Sequence, residues 1–127
     1  MTTMKTLKMC LCEGRHEIVE AVDGSIFKTE VDPLAVDRLE VQAFNSIWDK
    51  CFKLGILEYA SSKYPELEGT EEEDSLCIPR GLSLDLYVTG LTVALVAVLN
   101  VCRQEGIKVT LYHFNRETGT YYAQEVK

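Results

Sequence analysis

Residues 84–114, LDLYVTGLTVALVAVLNVCRQEGIKVTLYHF, carry the most legible pattern in the chain. Leu84 to Val88 reads as a short apolar strand. Thr89-Gly90-Leu91-Thr92 forms a junction, and the apolar run from Val93 to Cys102 continues as a helix to about Glu105. Gly106 closes that helix, and a second strand runs from about 107 to 114. A strand, a helix of this length and a second strand predict a parallel pair joined by a right-handed crossover.

Working outward, residues 115–119 form a turn and residues 120–126 return as a final strand. Toward the N-terminus, Leu7, Met9 and Leu11 alternate with Lys8 and Cys10, predicting a strand over residues 5–12. Asp23-Gly24 reads as a turn, with residues 25–31 as a second strand, antiparallel to the first. Asp32 caps and Pro33 opens a helix ending near Gly55, with Leu34, Val41, Phe44, Trp48 and Phe52 as its apolar face. The order is β-β-α-β-α-β-β. The expected architecture is a single α/β domain over residues 1–127, a two-layer sandwich with a mixed sheet and two main helices.

Composition narrows the classes of function. With 127 residues, 46% of them hydrophobic, the chain has material for one core and no more. Its five cysteines are too sparse for a disulfide scaffold and odd in number, so reduced thiols and a cytoplasmic setting are expected. The longest wholly apolar run, residues 93–99, falls short of the ~20 residues of a membrane span, and residues 9–12 make no adequate signal core. The net charge of −7 is local: Glu66, Glu68, Glu71, Glu72, Glu73 and Asp74 leave 14 acids against 13 bases elsewhere. Residues 65–80 are accordingly expected to form an exposed acidic loop. With no basic face, duplex nucleic acid is disfavoured as a partner.

The 93–102 helix is apolar almost all round and therefore needs cover on every side. Only one other long helix is available to cover it, which predicts a homo-oligomer. Asn100, polar within that helix, must find partners for its amide: a backbone group, a neighbouring copy or a ligand.

Thr89, Gly90 and Thr92 sit at a strand-to-helix junction, where a glycine admits close backbone approach and the helix start offers free N–H groups to an anion. No GxGxxG or GxxxxGK[ST] pattern accompanies them, so a standard dinucleotide or triphosphate cradle is not supported. Arg15, beside His16 after the first strand, and Arg116, in the 115–119 turn, offer planar charged forks to phosphate. Tyr112, Phe114, Tyr121 and Tyr122 crowd the last hairpin, either as packing or as a platform for a nucleobase. Cys10, Cys12 and His16 lack the paired spacing of a zinc site, and no cysteine–histidine motif marks a nucleophile. The residues therefore predict no metal, no cofactor and no catalytic constellation.

The segments LCEGRHEI (11–18), AVDG (21–24), YVTGLT (87–92) and HFNRETG (113–119) resemble phage Thoeris anti-defence sponge proteins of the first type. The resemblance extends over most of the chain. It implies an oligomeric protein that binds a cyclic ADP-ribose immune signal without cleaving it, with pockets formed between protomers. Arg15 and Arg116 would hold the phosphates, and Phe114 or Tyr112 the base. Two other classes fit the same residues. One is a ring-opening nucleotide enzyme in which Arg15 or His16 assists cleavage; the other is a protein-binding inhibitor that docks through its acidic loop.

Overall fold

The computed structural model describes residues 5–12, 23–27, 34–88 and 92–126. Its centre is a five-stranded sheet built from β1 (Thr6–Cys12), β2 (Gly24–Phe27), β5 (Ser83–Tyr87), β6 (Lys108–Asn115) and β7 (Thr120–Glu125). The spatial order is β2-β1-β5-β6-β7. The first four strands are mutually parallel, and β7 returns antiparallel to β6. The α/β class, the mixed sheet and the two main helices are as expected from the sequence.

The helices α1 (Val36–Lys53) and α3 (Thr92–Glu105) lie side by side against one face of the sheet. Leu7, Met9 and Leu11 of β1, Leu84 and Leu86 of β5, and Val109 and Leu111 of β6 point into this layer and are buried. They meet Leu39, Ala43, Ile47 and Cys51 of α1 and Ala94, Ala97, Val98, Val101 and Cys102 of α3 in one apolar cluster. Each fully buried Leu or Ile contributes roughly 1.5–3 kcal/mol, so this face holds the fold together.

The structure corrects three expectations. β2 is parallel to β1, with Met9 opposite Gly24 and Cys12 opposite Phe27. Asp23-Gly24 is not a hairpin turn but the entry to β2: the Asp23 N–H donates to the Lys8 carbonyl, and its carboxylate accepts from the Lys8 N–H at 2.8 Å. Eleven residues, 13–23, connect β1 to β2, at the short end of the roughly 10–12 that a crossover between parallel strands takes. The predicted strand residues beyond Phe27, and the Asp32-Pro33 helix opening, lie outside the described residues.

The buried stripe of α1 is offset from the one read in the sequence. Leu34 is 91% exposed, and Val41 and Phe52 are exposed too, while Leu39, Ala43, Ile47 and Cys51 face the sheet. Small side chains at 43 and 51 let the helix approach closely, leaving Phe44 and Trp48 on its flank. The 65–80 segment, thirdly, is not loop throughout. Residues 58–77 carry a two-stranded ribbon, β3 (Glu58–Tyr59) with β4 (Leu76–Cys77), the short helix α2 (Ala60–Lys63) and a 3-10 turn (Pro65–Leu67). Ile78, within the expected loop, is fully buried, whereas Glu66, Glu68, Glu71, Glu72 and Asp74 are exposed as expected.

Among the described residues no helix is long and apolar enough to cross a membrane. In α3, Val96 is half exposed and Val93, Leu95 and Leu99 are only partly covered, since among the described residues α1 is the one long helix packed beside it.

Candidate functional site

The parallel strands bring their carboxyl ends to one side of the sheet, at Phe27, Cys12, Tyr87 and Asn115. The chain passes from β1 to β2 on one flank and from β5 to β6 on the other, so the strand order reverses between β1 and β5. In open α/β sheets the crevice beyond such a reversal is where ligands bind.

On the face away from the helices, aromatic rings accumulate toward this same end. Tyr87, the last residue of β5, is buried and stacks on Tyr112 of β6, ring centroids 4.9 Å apart and planes 18° from parallel. Tyr121 of β7 meets Tyr87 edge-on at 5.0 Å and Phe114 at 5.4 Å. The register explains the cluster: Tyr87 lies opposite Tyr112, Tyr112 opposite Ala123, and Phe114 opposite Tyr121, so all four rings project from one face. Small Ala123 leaves room between them. Phe114 is exposed, so the cluster grades from a buried ring to an accessible one.

Beyond Phe114 the β6–β7 hairpin forms a shallow cleft of about 570 Å³ lined by Phe114, Asn115, Arg116, Glu117 and Tyr122. The Asn115 side-chain oxygen accepts the Glu117 N–H at 2.9 Å and the Asn115 carbonyl accepts the Gly119 N–H, which sets the turn that displays Arg116. Gly119 adopts φ 70°, a left-handed conformation that a glycine takes without a steric penalty. His113, on the opposite face, bonds Gln124 at 2.8 Å and lies beside Tyr122.

Of the sequence-predicted residues, the structure brings Phe114 and Arg116 together in the hairpin cleft, while Tyr112 lies in the adjoining ring cluster against Tyr87. Thr92 opens α3, exposed, following β5. Arg15, His16, Thr89 and Gly90 lie outside the described residues. Asn100 is elsewhere: eight residues along α3 from Thr92, roughly 12 Å by helical rise, its amide donates to the Glu40 carboxylate of α1 at 3.3 Å. It ties the two helices to each other.

The sequence reading passed over Tyr87 as a site residue and left Tyr121 unassigned. Tyr87 alternates with Leu86 and Val88 and so must leave the helix-covered face, but its stacking partner emerges only from the β5–β6 register.

Farther down the same face Lys8, Asp85 and Thr110 lie in one row across β1, β5 and β6. Burial raises the Asp85 carboxyl above its ordinary range, partly offset by the Lys8 charge. The thiols of Cys51 and Cys102 are pushed up by burial to about 11 and about 12, so both stay protonated at neutral pH. Among the described residues no three His, Cys, Asp or Glu side chains group as metal ligands.

Fold and site together define an open-sheet α/β protein of two layers, with an aromatic cluster and a displayed arginine at the carboxyl end of its parallel strands. Comparison with protein-family models, curated proteins and solved structures finds no match to the chain.

Proposed function

We propose that this protein binds a small cyclic nucleotide signal of the cyclic ADP-ribose type and holds it without cleaving it, so that an anti-phage defence in the host cytoplasm is denied its messenger. The observation that carries the reading is that Phe114 and Arg116 line one cleft at the carboxyl end of the parallel strands, with Tyr112 two positions before Phe114 on the same face of β6. A nucleotide needs an aromatic face for its base and a fixed cation for its phosphates, and both stand within one hairpin. The 570 Å³ cleft lies within the roughly 300–1,000 Å³ range of small-molecule sites. In this reading Phe114 or Tyr112 stacks the base and Arg116 pairs with phosphate. Arg15, His16, Thr89, Gly90 and Thr92, which follow β1 and β5 in the chain, are the further ligand contacts of this reading. A homo-oligomer completes the pocket, as the sequence resemblance implies.

The test is to incubate the chain with a cyclic ADP-ribose isomer, isolate the protein fraction by gel filtration, release the small molecule by heat and weigh it. Unaltered ligand, lost in Arg116→Ala, supports sequestration with Arg116 on the phosphate. A linearised product makes the protein an enzyme. No co-elution of any cyclic nucleotide favours a protein-binding module.

A further inference from the structure

The two edges of the main sheet are treated differently. β2 spans four residues, is partly to fully buried, and its Ile26 carbonyl accepts the Ser46 hydroxyl at 2.6 Å. β7, at the other edge, spans six residues, and five of them are exposed. Native sheets protect such an edge with prolines, lysines, bulges or short strands, because an unpaired edge recruits another strand. β7 reads TYYAQE: it has no proline or lysine, and its register with β6 runs through six consecutive pairs without a bulge.

The Val126 N–H donates to the Val109 carbonyl at 3.0 Å, which fixes the phase of the ladder. Val126 and the other even-numbered residues exchange bonds with β6, so Tyr121, Ala123 and Glu125 turn their backbone groups away from it. Among the described residues, no backbone group bonds those of Ala123 or Glu125 from the outer side.

We propose that β7 is a self-pairing edge, at which a second copy of this chain adds its own β7 antiparallel about a two-fold axis at Ala123. The strand is complementary to itself in that register. Ala123 meets the partner's Ala123, so the smallest side chain of the strand sits on the two-fold axis. Tyr121 meets the partner's Glu125, and Tyr122 meets the partner's Gln124. Glu125, the sole charge in β7, therefore faces a tyrosine rather than another carboxylate. At the axis the two Ala123 residues fall opposite one another with their backbone groups outward, so this pair exchanges both of its backbone bonds. Two five-stranded sheets become one continuous sheet, and the Arg116 hairpins point to opposite ends of the dimer. The proposal does not rest on the nucleotide reading.

Sedimentation of the full chain across the micromolar range tests it. The wild type is expected to dimerise. Ala123→Pro, which removes an outward N–H that β6 does not use, and Ala123→Lys, which sets two charges against each other across the axis, are each expected to weaken the dimer more than tenfold. Far-UV circular dichroism and melting confirm that each variant is folded, and ligand co-elution is read on the wild type, so failure of the dimer and failure of the nucleotide reading stay distinguishable. For register, Ala123→Cys is expected to form a covalent dimer on oxidation, while Tyr122→Cys, facing Gln124, stays at the wild-type background. A monomeric wild type, a dimer that survives both substitutions at 123, or equal cross-linking at 122 and 123 would each overturn the proposal; survival would move the interface to the half-covered face of α3.

Discussion

Tyr87 lies face to face with Tyr112 across the β5–β6 pair, and Tyr121 closes the group edge-on from β7. Three strands thus contribute to one aromatic cluster on the face away from the helices. Such contacts add roughly 0.5–1.5 kcal/mol beyond the area they bury. Removing the buried ring in Tyr87→Ala is expected to cost about 3 kcal/mol, while Tyr87→Phe, which keeps the stacking, costs less than about 1. Urea unfolding of both variants checks this; equal losses would show that the hydroxyl, not the ring, matters.

Asn100 and Glu40 join α3 to α1 at 3.3 Å. Asn100→Ala is expected to lower stability by about 1 kcal/mol and to leave ligand affinity unchanged. Calorimetric titration beside a melt separates the two. A selective loss of affinity would return Asn100 to the binding site.

Lys63 and Glu105 form an ion pair at 3.0 Å whose side chains are 7% and 20% exposed. It holds the 58–77 insertion against the end of α3. Lys63→Ala strands the Glu105 carboxylate in a largely dry position and is expected to cost about 3 kcal/mol. The double change Lys63→Met with Glu105→Leu recovers most of that loss, since two apolar side chains need no counterion. Denaturant midpoints for the single and double variants supply the check. Lys53 and Asp49 also pair on α1, but both are well exposed, and breaking that pair is expected to shift stability by less than about 0.5 kcal/mol.

Asp85 gives a pH dependence. Its folded carboxyl is raised first by burial and only partly restored by Lys8. A raised acid binds its proton more tightly in the folded state. It therefore favours folding below the ordinary value of 3.8 and loses that contribution as pH climbs through the folded value. Asp85→Asn is expected to gain a few tenths of a kcal/mol at neutral pH, after discounting for solvent screening, and nothing near pH 3. Melting temperatures at the two pH values test the sign; a variant less stable at neutral pH would show that the Lys8 attraction outweighs the burial.

Much of the fold was legible in residues 84–114, where two strands flank a helix and leave few alternatives. The offset stripe of α1 was less legible. Leu34, Val41 and Phe52 satisfy a helical period as well as Leu39, Ala43 and Ile47 do, and periodicity does not say which apolar stripe meets the sheet. The direction of β2 was misread because Asp23-Gly24 has hairpin chemistry, whereas the separation of Cys12 from Asp23 has crossover length. At the candidate site, Phe114 and Arg116 can be placed together from the sequence because they are two positions apart in one hairpin. Tyr87 was passed over because its partner Tyr112 lies 25 positions away.

By itself, then, the sequence determined what local chemistry can dictate: the class of fold, the two helices, the last hairpin, the exposed acidic run and the arginine at the hairpin tip. Tertiary structure alone decided the strand order and the parallel course of β2. It also assembled the aromatic cluster of β5, β6 and β7, sent Asn100 to Glu40, and left β7 as an open edge. These depend on contacts between residues far apart in the chain, and a long-range register is selected by the burial of the whole sheet face rather than by any short run of residues.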